Sequence, residues 1–441
     1  MEKDTRVLIV GGEGTFGLST AWHLARSGYT RVTCLDRWST PSRSSAGYDL
    51  NKIVRTEYVT PLYTKLAHEA VKLWRDPMFK DVYHETGWVF GTDGTEELGR
   101  VQAFDDSVQN TKSIGDPSKM VELQDLQSTI DKFPCFGYGR ESNVSQPEFR
   151  AIFNQNAGWV DPMKAMQVIK AQCESLGVSF ITGKAGTVVS LLRDHAGNVK
   201  GVCSEDGTET LGDRIILAVG PYSDTLLDFE GQLEATAYVV THIRLPEDLY
   251  NRYKDMPVVN ISRRGYVFPP KQDRILKACS TDVSYLVSKD PSTRASNGWG
   301  SVSTPRDSAY HPTDTQPTHG YQQTQSLLKF ILPGLAGVEV DSSRLCWDAE
   351  AFDYHWIISR HPSSPKSLFI ATGGSGHSFK NIVHIGRFVQ QLLEDSLEES
   401  LIEAWRWRPE KIGTSPEKEE RARRPKLELW EASGWNHESE T

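Results

Sequence analysis

The sequence predicts an α/β protein in two parts: a Rossmann-type nucleotide domain assembled from distant stretches of chain, and a second domain on a mixed sheet. Three observations predict this. A strand–glycine turn–helix–strand unit opens the chain, from Arg6 to Asp36. The same mononucleotide-type pattern returns as a strand breaking at a glycine (RIILAVGPYS, 214–223) and as a strand–glycine loop–helix (LFIATGGSGHSFKNIVHIGRFVQQLLE, from Leu368). Between these last two, residues 232–340 alternate strand-like runs with Pro-rich loops, as a sheet-based domain would.

Each element has a local reason. Arg6 to Val10 is apolar and β-rich, and Val32 to Leu35 is a second short strand ending at Asp36. Between them LSTAWHLARSG places Leu18, Ala21, Leu24 and Ala25 at helical spacing and stops at Gly28, a natural C-cap. Gly12-Glu13-Gly14-Thr15-Phe16-Gly17 joins strand to helix as a GxGxxG turn. Its glycines permit a tight turn, close approach of backbone to a pyrophosphate, and close helix–strand packing. The helix N-terminus then offers amide donors. Asp36 follows at the spacing of the acid that holds a ribose hydroxyl. The motif by itself does not separate FAD from NAD. Further helices are predicted in LYTKLAHEAVKLW and PMKAMQVIKAQCESLG, and strands in VSFIT and TVVSLL. The last thirty or so residues are highly charged and read as a surface wrap. The predicted division is 1–60, 145–230 and 340–441 for the nucleotide domain, and 61–144 and 231–339 for the substrate domain.

Bulk properties narrow the function class. A chain of 441 residues exceeds the roughly 150 of one domain. A net charge of -9 argues against nucleic acid or an anionic membrane as partner and suits a small-molecule ligand. The six cysteines are scattered without a CxxC pair, so neither a zinc site nor a disulfide framework is expected, and a reducing cytosol is the default compartment. His361, His377 and His384 have no metal spacing, so no metal is expected. No apolar run reaches the length of a membrane span, and the N-terminus enters a strand with no room for a signal peptide.

Several blocks together carry a family resemblance: GEGTFGLSTAWHL, AGYDLNKIVR, RIILAVGPYS, RLCWDAEAFDYHWIISRHP, ATGGSGHSFKNIVHIG and EAWRWRP. They resemble the monomeric sarcosine oxidase and amadoriase family of FAD amine oxidases. That resemblance implies a glutathione-reductase-type FAD domain, a monomer, an amino acid substrate, and O2 reduced to hydrogen peroxide as a C–N bond is oxidised. It implies that Cys346 forms a thioether to the flavin and that Lys277 helps O2 react, with Lys52 as the competing cation. It extends the cofactor site from Gly12, Gly14, Thr15, Phe16, Gly17 and Asp36 to Arg37, Ser45, Lys52 and Gly220. The loop residues Gly374, Gly376, His377, Ser378, Phe379 and Lys380 complete it.

Substrate binding is expected from Arg55 and Lys380, because a guanidinium fork with a lysine suits a carboxylate. In an extended YDLNKIVR, Lys52 and Arg55 would face opposite sides, so a kink is needed to bring both to one site. Arg423, with Arg424 beside it, lies near where amadoriases bring a C-terminal arginine to the carboxylate. Thr281 stands where amadoriases place a sugar-contacting glutamate and sarcosine oxidases a histidine, which weighs against a fructosyl substrate. An N-methyl or N-alkyl amino acid is expected first, with L-pipecolate or saccharopine next and a fructosyl amino acid as the runner-up. An NAD-dependent dehydrogenase would leave SGHSFK and the block around Cys346 unexplained. A non-catalytic flavin protein would leave unexplained the lysines retained at three matching positions.

Overall fold

The structure is a computed structural model that describes residues 1–94, 100–140, 148–262, 264–288, 302–306, 308–312, 314, 316–414 and 424–435. The N-terminal strand Val7–Val10 pairs in parallel with Val32–Leu35 on one side and Arg214–Leu217 on the other. The sheet extends in parallel to Ser179–Ile181 and to Leu368–Thr372, and Ile357–Arg360 closes it antiparallel. Four of its strands thus come from the three segments that share the mononucleotide pattern. Both faces are covered: Val7 and Ile9 enter one core, Leu8 and Val10 another. This is why VLIV is apolar throughout instead of alternating.

The helix after the glycine turn, Thr15–Arg26, packs against Pro162–Ser175 and Ile385–Leu393. Its approach depends on missing side chains. A Cβ at Gly12 would lie 2.3 Å from the Cys34 Cβ, and one at Gly17 would lie 2.2 Å from the Gly11 carbonyl oxygen. Gly12→Ala is therefore expected to push the first two strands' ends apart. A destabilisation of about 1–3 kcal/mol follows from overpacking, seen as a lower Tm, and an unchanged Tm would contradict the close approach.

The second sheet has ten strands. Its centre, Leu233–Arg244, pairs antiparallel with Ile275–Ser280 and, over ten residue pairs from Leu233↔Ala351 to His242↔Ser342, with Ser342–Ala351. Strands Arg150–Asn154, Ser342–Ala351 and Lys426–Glu428 all belong to this sheet. The divisions 145–230 and 340–441 had grouped them with the nucleotide-binding segments. Strand partnership is set by distant neighbours, so local pattern does not show which sheet such strands join. The charged tail also differs from a plain surface wrap. Lys426–Glu428 pairs in parallel with Ser284–Leu286, and Leu429 and Trp435 are buried with Trp347. Among the described residues no helix is long and apolar enough to cross a membrane.

Candidate active site

Two adjoining clefts run between the sheets, and both are lined by Ala46 and Asp348. The first begins at the glycine turn, where Gly14, Thr15 and Phe16 form its floor with Asp36 and Arg37 beside them. Gly12 and Gly17 sit behind this surface, where their contribution is close packing. Asp36 is fixed by three donors: the Glu13 amide at 3.1 Å, the Trp38 amide at 3.2 Å and the Ser42 hydroxyl at 3.1 Å. Burial pushes its carboxyl above the usual range, against those hydrogen bonds. Arg37 lies over the Tyr222 ring at 4.7 Å, and Ser45, Gly220, Gly374 and Ser378 complete the wall.

The second cleft is built by period-two alternation on the large sheet. Cys346, Asp348 and Glu350 project from one strand, Tyr238 and Val240 from the next, and Lys277 and Cys279 from a third. Lys52 enters from a three-stranded sheet formed by Lys52–Val54, Tyr83–His84 and Gly158–Val160. That strand ends at Val54, and Lys52 and Arg55 both line the same cleft. Arg55 lies 4.2 Å from the Tyr58 ring centroid, and the Lys380 ammonium lies 4.8 Å from the same ring. One aromatic ring thus spaces the two cations.

Lys380 is held through its backbone, whose carbonyl accepts from the Trp74 indole at 2.7 Å, while its ammonium donates to the His377 carbonyl. The loop before it turns sharply: Gly373, Ser375 and Gly376 all have positive φ, at 75°, 48° and 68°. Ser375 tolerates this because its amide donates to Ala349 and its hydroxyl accepts from the Ala351 amide, tying the loop to the Cys346 strand. Gly376, His377, Phe379 and Lys380 line the second cleft, and so does Thr281 just past the end of its strand. Arg423 lies outside the described residues; the adjacent Arg424 lines the cleft near Tyr238.

Asp49 and Arg344, which sequence reasoning passed over, organise the cations. Asp49 is 4% exposed and its Oδ2 meets Lys277 at 2.5 Å, Lys52 at 2.8 Å and Arg344 at 3.7 Å. Lys52 and Arg344 also approach the Cys346 sulfur at 3.9 and 4.0 Å. Burial alone would raise the Asp49 carboxyl, but the three cations hold it well below the carboxylate range. Burial would likewise lower Lys52, yet Asp49 keeps it above the ordinary lysine value. For Lys277 burial prevails, helped by Lys52, and its ammonium is pushed down. Asp348, half-buried and two residues from Glu350 on the same face, is raised to about 6 by desolvation and by the Glu350 charge.

Because Asp49 is depressed in the folded state, its contribution to stability is complete above the unfolded value of about 3.9 and fades as pH falls below it. Asp49→Asn is expected to lower the Tm at neutral pH, because it leaves buried cations without their counter-charge. The gap to the parent should narrow below pH ~4. A gap independent of pH would argue that the ion cluster is not its source.

These features fit a dinucleotide lying across both clefts. The glycine floor leaves backbone open to phosphates, and Asn51, fully buried on the second cleft, has neither side-chain Nδ2 nor Oδ1 hydrogen-bonded. The comparisons agree. The sequence pattern of the family described as FAD dependent oxidoreductase matches residues 6–392, and the chain belongs to that family. L-saccharopine oxidase of Schizosaccharomyces pombe is 31% identical over 416 residues, 92% of this chain and 93% of that protein. Monomeric sarcosine oxidase of Streptomyces avermitilis is 23% identical over 392 residues, 87% and 92% of the two chains. The solved structure of fructosyl peptide oxidase from E. terrenum superposes with a TM-score of 0.88 and 32% identity over 99% of each chain. The class is therefore an FAD-dependent oxidase of amine C–N bonds, with a Rossmann-type FAD domain and a sheet-based substrate domain.

Proposed function

We propose that the substrate is a secondary amino acid, N-methyl or N-alkyl, gripped by its carboxylate, with L-pipecolate- and saccharopine-like compounds next in line. The observation that carries this is the pair Arg55 and Lys380, set on one ring in the cleft that also holds Lys52, Lys277 and Cys346. A fork and an ammonium flanking one anion give charge-assisted contacts and fix its orientation. The same positive wall disfavours a protonated substrate nitrogen, and oxidation needs that nitrogen neutral. FAD, when bound, would supply the hydride acceptor, with O2 as the final electron acceptor giving hydrogen peroxide, and the imine product would hydrolyse to amine and carbonyl compound. The likeness to fructosyl peptide oxidase favours a fructosyl amino acid as second reading, and Thr281 in place of an acidic sugar contact weighs against it.

In this reading the glycine turn with Asp36 and Arg37 holds the nucleotide end, and Ser45, Gly220, Gly374 and Ser378 hold the middle. Lys52 and the loop from Gly376 to Lys380 face the ring. Cys346 forms the covalent thioether, and Lys277 assists O2. The nucleotide domain comprises 1–60, 145–230 and 340–441, with three strands lent to the large sheet; the chain acts as a cytoplasmic monomer. A peroxide-release screen across N-methyl, cyclic and glycated amino acids tests the substrate class directly. Lys380→Met is expected to raise KM by about tenfold or more with a smaller change in kcat. Equal turnover of an amino acid and its decarboxylated amine by the parent enzyme would rule out the clamp.

A further inference from the structure

We propose that Asp49 is a positioning residue that holds Lys52, Lys277 and Arg344 as one arc on the Cys346 side of the cleft. This rests on the roles just proposed for Cys346 and the two lysines. Asp49 itself does not line the cleft, so it acts through the residues it holds. Its own orientation is fixed: the Leu50 amide donates to Oδ1 at 2.8 Å, which leaves Oδ2 to face the cations. The four partners arrive from three different places, the segment 49–52, the strand Ile275–Ser280 and the strand Ser342–Ala351. A shared carboxylate oxygen is what lets two ammonium groups and a guanidinium crowd there in spite of mutual repulsion.

The partners depend on it unequally. Lys277 has a second anchor, the Asn51 carbonyl at 2.9 Å. Lys52 has Asp49 at 2.8 Å and, beyond it, the Cys346 sulfur at 3.9 Å. Without the carboxylate Lys52 swings away or gives up its proton, and the sulfur loses one of its two flanking cations. Forming the thioether would replace one C–H bond of the flavin's methyl group by a C–S bond, with loss of that proton, the thiol proton and two electrons, which O2 would take up as hydrogen peroxide. Cations beside the sulfur would stabilise its negative charge as it attacks. Asp49 therefore governs how readily Cys346 attaches the cofactor, and how well the lysines present their charge, while leaving nucleotide affinity alone. The glycine turn and Asp36 that set this affinity belong to the other cleft.

The test uses the full-length protein, with two variants. Asp49→Asn removes the charge; Asp49→Glu keeps it but moves it by one methylene and so preserves the charge balance the fold needs. Apoprotein is loaded with FAD, and acid-stable flavin is followed with time by in-gel fluorescence, beside the reversible FAD Kd. Expected is covalent incorporation at least tenfold slower in Asp49→Asn and at least threefold slower in Asp49→Glu, with Kd within threefold of the parent in both. If Asp49→Asn does not fold, Asp49→Glu decides alone. Incorporation at the parent rate in the folded variants overturns the proposal, and so does a loss of FAD affinity as large as the loss of incorporation. A parent protein without acid-stable flavin removes the Cys346 role and not the arc. The arc is then read in a Cys346→Ala background by stopped flow. There Asp49→Asn should slow reoxidation by O2 at least tenfold and reduction by substrate much less, and parent-like reoxidation overturns it.

Discussion

Lys277→Met is expected to slow reoxidation of the reduced enzyme by O2 by orders of magnitude, while anaerobic reduction by substrate should change far less. The asymmetry comes from where new charge appears. O2 becomes negative when it accepts the first electron, and a fixed cation in a dry site stabilises that charge strongly. Removal of hydride from a neutral amine gains little from a nearby cation. The arrangement around Asp49 explains why the effect survives a counter-ion only 2.5 Å away. Three cations share that one carboxylate oxygen, so it does not neutralise each of them. Lys52→Met is measured in the same way, since Lys52 lines the same cleft. Parent-rate reoxidation in Lys277→Met with slow reoxidation in Lys52→Met moves the role to Lys52; if neither is slowed, assistance by a lysine is wrong.

Cys346→Ala is expected to abolish acid-stable flavin yet keep yellow protein that releases FAD on denaturation. The two properties separate because the groups lie in different clefts: the glycine turn and Asp36 in one, the sulfur with Lys52 and Arg344 in the other. Five other cysteines are present, and three of them, Cys34, Cys173 and Cys279, are buried. Cys279 is the competitor because it lines the same cleft, but burial pushes its thiol up to about 11, which disfavours the nucleophilic form. Acid-stable flavin persisting in Cys346→Ala would move the attachment there.

What could be read from the residues follows the range of the interactions involved. The βαβ unit was legible because turn, strand and helix are encoded within thirty residues of one another. The stripe Cys346, Asp348, Glu350 was legible in principle, since alternate residues of a strand share a face. By the same rule Arg344 could have been named, two residues before Cys346. Asp49 gave no such signal beyond lying three residues from Lys52; its importance arises from two strands, one 228 residues away and the other almost three hundred. Tyr58 as the spacer between Arg55 and Lys380 was equally hidden, because the approach of residue 380 to residue 58 is purely tertiary. The sequence posed a kink as the requirement for Lys52 and Arg55 to share a site; the two do line one cleft, and the strand carrying Lys52 stops at Val54.

The order of strands in the six-stranded sheet has a consequence for biosynthesis. Val7–Val10 is made some two hundred residues before its partner Arg214–Leu217, and that strand's outer neighbour, Leu368–Thr372, follows about 150 residues later still. Until then Arg214–Leu217 presents an open, largely apolar edge to other nascent chains. A ribosome stalled before Leu368 would therefore release an aggregation-prone species rather than a smaller working domain. Recovery of soluble protein should fall steeply for truncations on the N-terminal side of that strand, and it should depend on chaperone supply more than on added cofactor.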